Sequence, residues 1–233
     1  MNPPDNFLQV MESRRSIRAF LPDPVPRADI ERIIAAAARA PSGTNTQPWH
    51  VHVLTGAARD ALVAAVCHAY DHEPDAHHYE YDYYPQEFVE PYLSRRRKVG
   101  FDLYGLLGIA RGDREAMRAQ HRKNYEFFGA PVGLMFSIDR RMGRGSWLDY
   151  GGFMQNVMLA ARALGYDTCP QAAWIQFHRI VAVQLDLPAH MQLVCGMALG
   201  RADPDAPANR LVSERAPLAE YVVFHDQPPS RRD

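Results

Sequence analysis

The sequence predicts a single-domain α+β protein, and three observations support that prediction. The chain has 233 residues, which is long enough to bury a substantial core. Hydrophobic residues make up 47% and charged residues 23%, as in globular proteins. Helical and strand periodicities follow one another along the chain, with more helices than strands. We therefore expect a mixed sheet flanked by helices within residues 1–225, followed by a disordered tail at residues 226–233.

The first elements are predicted as helix, strand and helix. Apolar residues recur at helical spacing over residues 27–40, and Pro41-Ser42-Gly43 ends that pattern. Residues 49–54 alternate between apolar and polar, as in a half-buried strand. Helical spacing returns over residues 57–69.

The stretch from residue 70 to residue 92 predicts a long loop. It mixes tyrosines, histidines, acidic residues and prolines without either regular period. Loops of this length are uncommon inside compact domains and often form lids or binding segments. We therefore expect residues 70–92 to be a lid-like excursion that covers a substrate.

The second half of the chain predicts three helices and two buried strands. Helices are expected over 91–109, 113–128 and 147–164, with Asp113 as an N-cap and Gly165 as the glycine that ends the third helix. The third of them is apolar on all sides, which favours a central position or one between subunits. Strands are expected over 132–138 and 191–199, and residues 211–224 predict an extended arm.

Charge and composition exclude several classes of partner. A formal net charge of −1 provides no general attraction for nucleic acid or an anionic membrane. No window approaches the roughly 20 apolar residues that span a bilayer, and the N-terminal region lacks the apolar block of a signal peptide. The cysteines Cys67, Cys169 and Cys195 are scattered, which fits a reducing compartment. We expect a cytoplasmic protein that binds neither nucleic acid nor membrane.

Two other kinds of site receive little support. His68 and His72 are four residues apart among acidic neighbours, but His72 is expected beyond the helix end, so we predict a solvated loop and no metal site. Gly143 and Gly145 suggest a dinucleotide loop, yet Leu148 occupies the third glycine position of that motif. A Rossmann dehydrogenase is therefore disfavoured.

A basic cluster near the N-terminus is the first candidate binding site. Its members are Arg14, Arg15, Ser16 and Arg18. Arginine side chains match phosphate oxygens in a bidentate manner, and residues two apart in an extended segment point the same way. The alternative is a solvated basic turn paired with Glu12 and Asp23.

A polar loop at residues 41–49 is the second candidate. Its candidate binding residues are Pro41, Ser42, Gly43, Asn45 and Gln47, through their side chains or backbone. Such a loop gathers donors and acceptors that suit the edge of a heteroaromatic ring and a polyol. An ordinary polar connector has a similar composition, so this loop alone does not decide between the two.

Taken together, the two clusters make the chain resemble the nitroreductase family of flavin mononucleotide (FMN) enzymes. The pattern Arg-Arg-Ser-x-Arg-x-Phe stands at residues 14–20, and Pro-Ser-x-x-Asn-x-Gln-Pro-Trp stands at 41–49. The resemblance continues at Asn124, at Pro170-Gln171-Ala172 and at Arg215-Ala216-Pro217-Leu218. It covers roughly residues 10–225.

The resemblance implies a nitroreductase-like fold in an intertwined homodimer with an extended C-terminal arm. It also implies roles for particular residues. Arg14, Ser16, Arg18 and Arg215 would hold the FMN phosphate, and Ser42, Asn45 and Gln47 would reach the cofactor from the neighbouring subunit. Arg15, Pro41 and Gly43 would be further cofactor-binding residues. Pro170, Gln171 and Ala172 would lie against the flavin edge near N5, and Asn124 would contact the ribityl chain or the ring.

The implied activity is NAD(P)H-dependent reduction of a small aromatic substrate by a ping-pong mechanism. Because the flavin itself accepts and delivers hydride, we name no catalytic residue. Within the family the chain looks closest to nitrobenzoate and nitrobenzene reductases, judged partly from residues 167–171. The alternatives are a quinone or flavin reductase, a flavin-dependent dehalogenase of the same fold, or a flavin-binding sensor without turnover.

Overall fold

Helices surround one four-stranded sheet in the computed structural model, which describes residues 6–73 and 75–226. The helices are α1 (Phe7–Ser13), α2 (Arg27–Ala37), α3 (Gly56–His72), α4 (Tyr92–Leu106), α5 (Arg114–Arg122), α6 (Arg144–Ala163) and α7 (His178–Gln184). The strands are β1 (His50–Thr55), β2 (Val132–Asp139), β3 (Asp167–Gln171) and β4 (Met191–Gly200). The predicted disordered tail at 226–233 lies outside the described residues except for Asp226.

The strands follow the order β1-β2-β4-β3, and the three ladders are antiparallel. Successive side chains of a strand point to opposite faces, so β2 and β4 divide the interior into two cores. Met135 packs with Trp174 in one core, whereas Phe136 packs with Phe153 of α6 in the other. An isolated parallel bridge between Ser16 and Thr168 places the N-terminal segment beside β3.

The sequence located most of these elements but missed the short ones. Helices α1 and α7 and strand β3 were not predicted, because each spans only 5–7 residues and β3 contains Pro170. The helix expected over 113–128 is wrong in its second half. Asp113 does cap α5, but α5 ends at Arg122 and a 3-10 segment follows, in which Phe127 and Phe128 have φ of 51° and 54°. Stacking of Phe127 on Trp174, with ring centroids 4.6 Å apart, compensates for that strained backbone.

The long loop is shorter than predicted. Residues 70–72 complete α3, and the described part of the loop consists of residue 73 and residues 75–91. His72 therefore lies inside the helix, where its ring stacks on that of His68 with centroids 4.5 Å apart. Among the described residues, no three or more His, Cys, Asp or Glu side chains form a group that could hold a metal ion.

Between β4 and Asp226, where the description of the chain ends, the C-terminal segment contains two short 3-10 turns, at Pro207–Arg210 and Leu218–Glu220. Ion pairs attach it to α4, where Arg95 meets Glu220 at 2.5 Å and Lys98 meets Glu214 at 3.2 Å. Across residues 6–73 and 75–226, no helix has the length and apolar character needed to cross a membrane.

Candidate functional site

A cavity of about 410 Å³ lies where the N-terminal segment faces the C-terminal segment, and we call it the basic cavity. It is lined by Met11, Glu12, Arg14, Arg15, Ser16, Arg18, Val99, Leu211, Val212, Ser213 and Arg215. Among the described lining residues, four arginines thus share the cavity with a single carboxylate, that of Glu12. The structure brings together the phosphate-site candidates of residues 14–18 and Arg215, although about 200 residues separate them along the chain.

The strand-like backbone of the N-terminal segment directs its side chains into this cavity. Ile17 donates its N–H to the carbonyl of Thr168 at 3.1 Å, and its side chain is 1% exposed. Because side chains alternate along an extended segment, burying Ile17 points Ser16 and Arg18 the other way, into the basic cavity. The expectation that Ser16 and Arg18 face the same way is confirmed.

Asn209 supports the N-terminal segment on the side away from the basic cavity, and no feature of the sequence singled it out. Its Oδ1 accepts the N–H of Arg18 at 2.8 Å, while its Nδ2 donates to the carbonyls of Ala19 and Asp203 at 2.8 and 2.9 Å. The residue is buried and its own carbonyl accepts from Arg15 at 3.2 Å. Because 191 residues separate Arg18 from Asn209, no local pattern could have identified this contact.

The electrostatics of the basic cavity favour an anion. Burial lowers the pKa of Arg14, and the nearby positive charge of Arg215 lowers it further. Within the described part of the chain, the guanidinium of Arg215 donates only to the oxygens of Ser213 and Glu214, at 2.8–3.0 Å, and these are its own loop neighbours. A dianionic group would relieve the repulsion between the arginines and accept their hydrogen bonds, so the residues fit a phosphate.

The polar loop at 41–49 does not reach the basic cavity of its own chain. Gly43 donates its N–H to Asp149 of α6 at 3.0 Å, and Gln47 donates its N–H to Ser42 Oγ at 3.0 Å. Asn45 and Gln47 have φ of 60° and 49° and are exposed. Pro41 and Gly43 are exposed as well, so the loop is held in one shape with its polar groups facing outward.

The segment after β3 is fixed by a side chain that points inward. Gln171 is 2% exposed, and its Nε2 donates to the carbonyl of Asn124 at 2.6 Å while its Oε1 accepts from Trp174 at 3.4 Å. The side chain of Asn124 donates to the carbonyl of His121 at 2.8 Å. The amide of Gln171 is thus committed to the core, and its neighbours Pro170 and Ala172 remain half-buried.

A second cavity, of about 330 Å³, opens beside Pro170 and Ala172. We call it the aromatic cavity, and its other principal lining residues are Tyr81, Asp82, Tyr83, Trp147, Tyr150 and Cys195. Tyr81 meets Trp147 edge-on, with ring centroids 4.9 Å apart. The sequence predicted a covering role for this long loop but did not single out these side chains, because their convergence depends on three separated segments.

Strand β3 connects the two cavities. Ser16 of the basic cavity pairs with Thr168, and Pro170 of the aromatic cavity stands two residues further along β3. A strand rises about 3.3 Å per residue, so Thr168 and Pro170 are about 7 Å apart along it. The arrangement suits an anionic group in the basic cavity and a planar ring in the neighbouring aromatic cavity.

Comparisons with known proteins agree with this geometry. The model of the Nitroreductase family matches residues 11–201. Nitrobenzene nitroreductase of Ectopseudomonas oleovorans is 40% identical to this chain over 92% of it and 95% of that protein. 4-nitrobenzoate reductase of Pseudomonas putida is 43% identical over 94% of this chain and 96% of that protein.

A solved structure extends the similarity to the fold. FMN and NADPH-dependent nitroreductase NfnB from Sphigopyxis sp. strain HMH superimposes with a TM-score of 0.93 at 40% identity, covering 95% of this chain and 100% of that one. The predicted α+β fold is therefore confirmed.

Proposed function

This chain belongs to the nitroreductase family, as its motifs predicted, and we propose that it is an FMN-dependent oxidoreductase that uses NAD(P)H to reduce nitroaromatic compounds. One observation supports this most directly. The basic cavity gathers four arginines around Ser16, and strand β3 carries the chain from there to a cavity lined by aromatic rings. The basic cavity suits the phosphate of a flavin, and the aromatic cavity suits the ring of a substrate.

In this proposal the chain binds and orients the cofactor. The guanidinium groups of Arg14, Arg18 and Arg215 and the hydroxyl of Ser16 hold the phosphate, and Arg15 reinforces the segment through Asn209. The inward side chain of Gln171 fixes the backbone of residues 170–172 through its bond to the carbonyl of Asn124, and this backbone would lie beside the flavin edge. When bound, FMN supplies the hydride chemistry, so we assign no acid, base or nucleophile to the protein.

We also propose that two copies share each site. The polar loop carries Ser42, Asn45 and Gln47 on the outside of the chain, away from the basic cavity. Strand β1 is an edge of the sheet, so its outer hydrogen-bonding groups are available to another chain. In such a homodimer the polar loop of one copy and its arm at 211–224 would contact the other copy. This arrangement would use both the outward-facing polar loop and the free edge of β1.

Mixed dimers test the shared site. Arg18→Ala and Asn45→Ala each impair every site of their own homodimer. Mixing the two variants should restore FMN binding, because one site of each heterodimer receives the intact loop and the intact arginine. No recovery, or a monomer by light scattering, would contradict the shared site.

We propose a cytoplasmic location because Cys67, Cys169 and Cys195 are all free and buried.

The aromatic cavity has a volume near that of one small ligand, so donor and acceptor are expected to occupy it in turn. Parallel double-reciprocal plots would support this ping-pong order, and intersecting plots would contradict it. Quinones and free flavins are alternative acceptors.

One experiment tests the function as a whole. The purified protein should show the absorption bands of flavin, NAD(P)H should bleach them, and nitrobenzene should restore them. Protein without flavin that also fails to take up added FMN would overturn the proposal. Bands that NAD(P)H does not bleach would favour a flavin-binding sensor.

The variant Arg18→Ala should lose bound flavin, and an unchanged flavin content would favour the solvated-turn interpretation.

A further inference from the structure

The middle of the long loop is anchored by a buried carboxylate. The side chain of Glu80 is 7% exposed and forms ion pairs with Arg140 and with His178, whose Nδ1 lies 3.4 Å away. It also accepts the N–H of Leu193 at 3.3 Å. These partners follow β2, begin α7 and belong to β4, so three separate elements fix the position of residue 80.

Tyr81, the residue after Glu80, forms part of the wall of the aromatic cavity. The hydroxyl of Tyr81 donates to the carbonyl of Val194 at 2.5 Å, and its ring packs edge-on against Trp147. The nearby residue Gln176 donates to the carbonyl of His77 at 3.3 Å and holds the start of the same stretch. His77, Glu80 and Tyr81 are therefore bonded to the body of the protein, and Tyr81 forms a fixed part of the wall of the aromatic cavity.

The chemistry of that cavity is aromatic with one negative charge. Its volume of about 330 Å³ is at the small end for ligand pockets, which suits a single ring. Tyr81, Trp147 and Tyr150 supply surfaces for such a ring. Asp82 is the one charged residue among the described residues that line the cavity, and none of those lining residues is basic.

From this arrangement we propose that residues 80–82 select neutral nitroarenes over nitroarenes that carry a carboxylate. A carboxylate entering the cavity would lose hydration and meet the like charge of Asp82 without a cation to compensate it. Glu80 acts as a positioning residue, because it reaches the cavity only through the backbone of Tyr81 and Asp82. The inference rests on the proposed function and specifies the acceptor of the same site.

Asp82→Asn tests the selectivity, with Glu87→Gln as a matched control. Glu87 is an exposed carboxylate of the same loop that lines none of the described cavities. We expect the wild type to have a higher kcat/KM for nitrobenzene than for 4-nitrobenzoate. Asp82→Asn should raise the ratio of kcat/KM for 4-nitrobenzoate to kcat/KM for nitrobenzene about three- to tenfold, mainly through a lower KM for 4-nitrobenzoate. Added salt should reduce the ratio of kcat/KM for nitrobenzene to kcat/KM for 4-nitrobenzoate in the wild type, because the charge of Asp82 is exposed to solvent and is screened by ions.

Two results would overturn the inference. The first is a higher kcat/KM for 4-nitrobenzoate than for nitrobenzene in the wild type. The second is a ratio of the two kcat/KM values that is the same in the wild type and in Asp82→Asn. Reduction of neither compound by flavin-loaded protein would instead overturn the proposed function, and this inference with it.

Glu80→Gln tests the anchor separately. It should raise KM for nitrobenzene several-fold, while the FMN content stays at the wild-type value because Glu80 lies away from the basic cavity. An unchanged KM would show that Glu80 does not position the wall. A thermal unfolding curve for each variant establishes that the protein under assay is folded.

Discussion

The guanidinium Nη2 of Arg95 lies 2.5 Å from Oε2 of Glu220, and this contact ties α4 to the segment that carries Arg215. Val99, one turn further along α4, lines the basic cavity together with Arg215. The position of the late arginine in the proposed phosphate site is therefore set partly by an ion pair outside that site.

Arg95→Gln should weaken FMN binding about two- to fivefold, because it frees the segment that presents Arg215. Fluorescence titration of the flavin-free protein measures the dissociation constant. Arg97→Gln removes another exposed arginine of α4 and serves as the control. The double change Arg95→Glu with Glu220→Arg should recover the affinity by restoring the pair in reverse. Equal affinity in Arg95→Gln and the wild type would rule out this coupling.

Arg215→Gln should affect the flavin-free and flavin-bound proteins differently. In the absence of FMN its charge lowers the pKa of Arg14, so removing it relieves repulsion and should not lower the melting temperature. The rise in melting temperature on adding FMN should shrink, because a phosphate contact is lost. A large loss of stability without FMN would instead indicate a structural role for Arg215.

Asn209→Ala should destabilise the protein by about 2–4 kcal/mol. The substitution leaves the N–H of Arg18 and the carbonyls of Ala19 and Asp203 without their buried partner. For a chain of this length, that corresponds to a fall in melting temperature of roughly 5–15 °C. Asn209→Asp keeps the acceptor for Arg18 and should cost less. A melting temperature within a degree of the wild type would show that the three bonds are dispensable.

The cysteines predict a loss of stability at alkaline pH. Burial raises the pKa of Cys67 and of Cys169 to about 11 and that of Cys195 to about 12, from an ordinary value near 9.0. Above pH ~9 the unfolded chain releases these protons while the folded chain retains them, so the free energy of unfolding falls between pH ~9 and ~11. Below pH ~9 both states are protonated and this contribution is constant.

Urea unfolding at several pH values measures that decline. In Cys195→Ala the free energy of unfolding should fall less steeply with pH. An identical pH dependence in the variant would contradict the attribution of this decline to Cys195. A thiol reagent at neutral pH should find the cysteines unreactive in the folded protein, since thiols that are buried and protonated are poor nucleophiles.

Local patterns in the sequence predicted the longer elements well and the short ones poorly. Helix α2 and strand β2 were located to within a few residues, because their apolar periodicity is intrinsic to the segment. Strand β3 escaped notice because it is a strand only through its pairing with β4, at five positions from Asp167 to Gln171. The α-helix predicted through Phe128 stopped at Arg122, because the aromatic core overrides helical propensity there.

The sequence by itself determined the family and the cofactor, because the arginine cluster at 14–18 and the polar loop at 41–49 are contiguous motifs that can be recognised without a structure. The tertiary structure alone decided how those motifs are used. It brought Arg215 to Arg14, placed Asn209 behind Arg18, and turned Gln171 inward. It also set Asp82 beside the aromatic rings of a cavity that the sequence did not reveal. These relationships come from hydrogen bonding and packing between segments up to about 200 residues apart, which no local periodicity encodes.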